Sequence, residues 1–253
     1  MKTLWLNLGS LALMVMGCAS SGGGSRATDA DYDDVAQALS SVVVTGDHGG
    51  ETGSFYDATQ LALGTPALGF AAGASGRFQG KHAGLTYEYT TMCKDGGGNA
   101  MSSCDLTTAA ATVTVSWSGN LVTPNLTATA THQAELRLSA LQSNTVSVSG
   151  DGNFEFDTHF QSAWRQVQRD YHLGYTVAYQ DVQVRRVPLQ VVGGTVSYTI
   201  DAERMVSSAN KHVDASFRIA SNLEFATDGS AQLTLDGTHQ YAINLVSGAV
   251  AKR

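Results

Sequence analysis

The chain has little positive charge and no cluster of it. Fifteen lysines and arginines stand against 22 acidic residues in 253, a net charge of −7. That balance excludes nucleic acid as a partner, and it excludes electrostatic docking on anionic lipid. Catalytic motifs are also missing. There is no Gly-x-Ser-x-Gly or His-Glu-x-x-His, and no phosphate-binding glycine loop opens a helix after a strand. No enzymatic activity, cofactor or metal is expected. Apolar runs are short: Leu4 to Met16 falls below the roughly 20 residues that span a bilayer. Cysteine is scarce, with three in the chain.

The apolar run has a different meaning at the N-terminus. Lys2 followed by Leu4 to Met16 has the charge and length of an export signal. Val15-Met16-Gly17-Cys18 resembles the lipobox of bacterial lipoproteins, with an aliphatic residue, a small residue and then the cysteine. Met16 stands where that family has a small residue. The resemblance implies cleavage after Gly17, acylation of Cys18 with palmitate-type chains, and anchoring in a membrane. Ala19 and Ser20 follow, with no aspartate at 19, so the resemblance implies the outer membrane of the cell envelope. An ordinary secretory signal with a chance cysteine is the other reading. The expected organisation is a signal peptide over 1–17, a lipidated flexible tether over 18–28 and one mainly-β domain over 29–253.

With Cys18 lipidated, Cys93 and Cys104 remain as a pair. An oxidising compartment makes a disulfide closing the glycine-rich loop Lys94 to Ser103 the expectation. Half of a metal site is the alternative, and it lacks further soft ligands nearby. Tyr32, Val35, Ala36, Leu39, Val42 and Val43 recur at helical spacing, behind a first turn crowded by Asp29, Asp31, Asp33 and Asp34. The aspartates read as an acidic helix start; the calcium-loop alternative lacks the required glycine and glutamate. Gly46 to Gly53 reads as loop, Ser54 as the cap of a short helix from Phe55 to Leu63, and Gly64 to Gly76 as connection.

From Leu85 the apolar period becomes two. Leu126 to Ala140 holds one parity without a slip, and Thr145–Phe160, Tyr171–Tyr179, Val196–Val206, Val213–Phe225 and Leu233–Leu245 follow the same rule. One apolar face and one polar face mark a long-stranded antiparallel sheet, curved into a half-barrel or barrel-like, with one or two short N-terminal helices. The long runs leave single strands or hairpins open, with Gly150-Asp151-Gly152 and Asp236-Gly237 as the places to fold back. Parity predicts a three-residue loop over Thr227 to Gly229, pairing Phe225 with Ala231, and a bulge at Gln180 to Val182. A helix covering the sheet resembles the half-barrels of periplasmic lipid-carrier lipoproteins. A transmembrane barrel is the alternative, without evident aromatic girdles.

His132, Arg204 and His239 fall on the apolar parity, where a polar group needs a partner. They form a candidate inward cluster. His159, His172 and His212 fall on the polar parity. Glu155 and Asp157 are read as facing opposite sides of one strand, and so not as an acid–base pair. Trp164, Arg165 and Arg169 lie between strands, as a recognition loop or a loop anchor. The expected function is an outer-membrane-anchored binding or structural module facing another envelope protein. The alternative is a carrier of a lipid or other apolar ligand in the concave face of the sheet. An enzyme is the third reading, and it requires the inward polar residues to meet in a cleft.

Overall fold

The computed structural model describes residues 26–253 apart from 45–48, 66–68, 74–75, 83, 124–125, 162–167 and 207–211. The leader, Cys18 with its lipobox, Trp164 and Arg165 lie outside the described residues. Helix α1 is Asp29–Val43 and α2 is Gly50–Ala62. The strands are β1 Phe70–Ala72, β2 Arg77–His82, β3 Leu85–Lys94, β4 Ala110–Thr123, β5 Leu126–Ser139 and β6 Thr145–Gln161. They continue as β7 Gln168–Arg186, β8 Leu189–Val206, β9 His212–Phe225, β10 Ser230–Leu235, β11 His239–Asn244 and β12 Val250–Lys252.

The period of two builds one antiparallel sheet, each strand beside the next in chain order. β5 alternates buried and exposed along its whole length. The sheet is open: β1 and β12 are its two edges, so it is not a barrel. A transmembrane barrel needs every ladder bond paired by closure, which this arrangement lacks. Among the described residues no helix is long and apolar enough to cross a membrane.

The helices are core, not lid. α1 contacts β10, β11 and β12, while α2 contacts β3, β4, β5, β7 and β8. The sheet therefore curves around the pair. α1 buries residues on every side, including Val35, Leu39, Val42 and Val43 of its apolar stripe and Asp31, Asp33 and Asp34 of its acidic start. Its N-cap is Thr28, in a capping box with Asp31. α2 begins earlier than the sequence suggests: Gly50 to Ser54 are helical, and Ser54 donates back to the Gly50 carbonyl instead of capping. The Gly50 N–H, orphaned at the helix start, donates to Tyr87 Oη at 2.9 Å. Packing against β3 thus compensates a weak, glycine-rich first turn.

Gly64 to Gly76 is not all connection, since β1 lies within it. β6 runs straight through Gly150-Asp151-Gly152, without a hairpin. A Cβ at Gly150 would stand 2.0 Å from the Glu135 carbonyl oxygen, so glycine there permits the close approach of β5. Asp236-Gly237-Thr238 does turn, joining β10 to β11 with Leu235 opposite His239. Phe225 pairs with Ala231 across the predicted three-residue loop, with Gly229 at φ +82°. The register slips at Gln180/Gln183, where Asp181 takes φ +51°. Cys93 and Cys104 form the expected disulfide.

Candidate functional site

The three inward polar residues do not form one cluster. Arg204 on β8 and His239 on β11 both meet the first turn of α1. Arg204 Nη1 donates to Asp31 Oδ1 at 2.9 Å, and its Nε donates to Asp214 at 3.1 Å. The His239 ring stacks on Tyr32 with centroids 3.7 Å apart. His132 lies instead beside α2, stacked on Phe154 at 4.0 Å and hydrogen-bonded through Nε2 to Tyr179 Oη at 3.3 Å.

The acidic start of α1 is consumed by the sheet. Tyr171 Oη lies 2.9 Å from both Asp31 and Asp34, and Arg169 Nη1 donates to Asp34 at 2.7 Å. Arg169 is therefore a strut, not part of a recognition loop. Tyr241 and Lys252 each donate to Asp33 at 2.8 Å. Tyr32 donates to Asp236 at 2.7 Å. Burial pushes the Asp31 carboxyl up, but the bonds from Thr28, Tyr171 and Arg204 outweigh it and hold it below the usual range. For Asp34 burial wins over Arg169 and Tyr171, and its pKa is raised.

Glu51, in the first turn of α2, has no such cation. It is buried to 1% exposure, and its carboxyl accepts from Tyr179 at 2.7 Å and from Tyr198. Burial raises its pKa to about 7 against the pull of the two phenols. His132 is pushed by burial down to about 3 and is neutral. With Glu51 ionised, Tyr179 spends its one proton on Glu51, so His132 Nε2 must be the donor to Tyr179. Nδ1 is then an unprotonated acceptor, and it has no hydrogen-bond partner. The three groups form a short relay, closed off from solvent.

The outer face is different. A recess of about 520 Å³ opens over β2 to β6. Its floor is short hydroxyls: Thr86, Ser116, Ser118 and Thr131. Its walls are longer polar side chains, Gln79 and Glu88 on one side, Gln133, Asn153 and Glu155 on the other. The register sets this out. Glu88, Ser116, Gln133 and Asn153 form one row across the strands, and Thr86, Ser118, Thr131 and Glu155 form the next.

No protein-family model, curated protein or solved structure matches this chain. Its site has to be judged on its own geometry. The buried networks are structural in form: each of these carboxylates accepts from at least one side chain of the sheet, and among the described residues no group of His, Cys, Asp and Glu is arranged to hold a metal. The recess is an accessible candidate, with hydroxyl, amide and carboxylate groups facing water; a second opening, of about 490 Å³, lies beside Tyr32 and His239.

Glu155 and Asp157 share this outer face, since residues two apart on a strand point the same way; the opposite-face reading is corrected. Asp157 pairs with His172 at 2.7 Å, and His159 pairs with Asp170 at 2.6 Å. The polar-parity histidines at 159 and 172 thus face outward but are paired, while the side chain of His212 lies outside the described residues. Glu51 was missed because its stretch reads as a glycine loop. The available signal was inward tyrosine: Tyr171, Tyr175, Tyr179 and Tyr198 bring phenols into the core, and buried phenols require acceptors.

Proposed function

We propose that this protein is a lipid-anchored module of the bacterial envelope that binds another envelope component through the outer face of β2 to β6. The observation that carries this reading is an asymmetry between faces. Two helices fill the concave side of the sheet, which a carrier of apolar ligands would need open. The outer side keeps a polar recess. The leader and Cys18 support placement at the outer membrane through acyl chains.

The test has two parts. Cells fed an alkyne-tagged palmitate are expected to label the full chain, and Cys18→Ser is expected to abolish the label. A photo-crosslinking residue at Thr131 is expected to give an envelope adduct, whereas the same residue at Ala220, outward on β9, is not. Equal adducts from both positions would remove the outer recess as the contact surface.

A further inference from the structure

We propose that the recess over β2 to β6 is a saccharide-binding site. This rests on the reading above that this face is the contact surface, and it adds the chemistry of the ligand.

The first argument is satisfaction. The rows that border the recess pair their polar side chains with one another. One row beyond the recess, Arg137 bonds Glu135 at 2.9 Å and Asp151 at 3.2 Å. On the other side Thr129 bonds Asn120 at 3.2 Å, and Asp157 pairs with His172. Farther along, Arg218 clasps Asp201. Between these self-paired rows, Ser116, Ser118, Gln133, Asn153 and Glu155 bond no side chain among the described residues. Only Gln79 and Glu88 bond each other, at 3.1 Å. The recess therefore presents a patch of free donors and acceptors bounded by spent ones.

The second argument is charge. Two carboxylates, Glu88 and Glu155, flank the recess and no lysine or arginine lines it. Phosphate, nucleic acid and other anions would meet two negative charges, with Lys81, opposite Thr86 at the β2 end of the row, as the one cation there among the described residues. Hydroxyl groups suit the lining better. A carboxylate accepts from two neighbouring O–H groups, and the amides of Gln133 and Asn153 each accept and donate. An amino sugar would gain further from the carboxylates.

The third argument is shape. Strands lie about 4.8 Å apart and alternate residues about 7 Å apart along a strand. Two rows across β2 to β6 make a strip about 20 Å long, room for more than one linked sugar ring. An extended peptide is disfavoured. Each of β2 to β6 is paired on both sides, so no strand edge is free for strand addition.

The experiment is ligand-observed saturation-transfer NMR on the full chain in detergent micelles. The probes are chitotriose, maltotriose and trilysine. At least one trisaccharide is expected to take up saturation from the protein. A Gln133→Ala/Glu155→Ala variant is expected to weaken that binding roughly tenfold, equivalent to about 1.4 kcal/mol. Arg218→Ala, in a self-paired site, is expected to leave it unchanged, and far-ultraviolet circular dichroism checks that each variant folds. Silence from both trisaccharides overturns the proposal, as does undiminished binding by the double variant. Transfer to trilysine alone would identify a cationic peptide surface and overturn the saccharide class. Because crosslinking from Thr131 does not depend on ligand class, a saccharide failure with adducts intact leaves the contact-surface reading standing. Loss of both removes it.

Discussion

Replacing Glu51 by glutamine is expected to change how stability depends on pH. Glu51 has its pKa raised from 4.5 to about 7 by burial in the fold. Stability from this group is fully present below about pH 4.5, and it is lost as pH rises through about 7. At 1.36 kcal/mol per pKa unit, the loss approaches about 3 kcal/mol. His132 has the opposite sign. Its pKa falls from 6.5 to about 3, so its contribution is present above pH 6.5 and lost as pH falls toward 3. Between about pH 4.5 and 6.5 the unfolded chain holds a charged histidine and a charged glutamate, while the fold holds both neutral. Proton counts match, and the two contributions cancel. Glutamine keeps the shape of the neutral acid and does not titrate. The variant is expected to equal the parent near pH 4 and to exceed it by about 3 kcal/mol near pH 8. Most of that difference builds across pH 4.5 to 6.5, where the histidine contribution stands alone in the variant. Urea unfolding of both proteins at four pH values reads this directly. Parallel curves, offset by a constant, would refute the titration of Glu51 in this interval. The relay adds a spectroscopic consequence. A glutamine amide donating to Tyr179 turns the phenol proton toward His132 Nε2, and nitrogen NMR is expected to report the proton on Nδ1.

Removing the disulfide by Cys93→Ala/Cys104→Ala opens a short loop and is expected to lower stability by about 3 kcal/mol, read from the urea midpoint. Arg204→Ala leaves Asp31, itself 1% exposed, without its cation, and is expected to cost about 3 kcal/mol at pH 7; a loss below the error of the measurement would show that Thr28 and Tyr171 suffice. Gly194→Ala places a Cβ 2.4 Å from Val182 Cα at φ +96°, so a loss above about 2 kcal/mol is expected. Gly174→Ala meets nothing within 4 Å and is expected to be neutral within about 0.5 kcal/mol.

Strand pairing was legible because it is a local property of parity. Leu126 to Ser139 buries alternate residues as its pattern requires. Phe225 opposite Ala231 follows from keeping apolar residues on one face. The bulge at Gln180 to Val182 follows from a slipped parity. The edge strand β1 and its neighbour β2 were not legible. β2 reads Arg-Phe-Gln-Gly-Lys-His, and β1 is three residues long. Neither carries a run long enough to show a period. The placement of the helices was also hidden. Asp31, Asp33 and Asp34 look like a solvated helix start because their partners are remote: Arg169 is 135 residues from Asp34, and Lys252 is 219 from Asp33. Only the curving of the sheet around α1 brings them together.

That curvature bears on where a ligand can go. The concave face buries two whole helices, so its polar residues serve those helices: Arg204 and Arg169 hold α1, while Tyr179, Tyr198 and Tyr87 hold α2. A polar group inside a low-dielectric core must be satisfied internally, and the inward residues singled out by parity meet that demand in part; His132 Nδ1 and Tyr175 Oη remain without hydrogen-bond partners. An inward polar residue in such a fold is evidence about assembly, not about ligand. The outer face is under the opposite rule, because water satisfies whatever the protein leaves open. Its side chains are free to be spent on each other or kept for a partner. Rows at Glu135–Arg137–Asp151 and Asp157–His172 are spent; the rows through Ser116 and Ser118 are kept. That contrast, drawn within one face of one sheet, is why the recess rather than the histidines carries the functional reading.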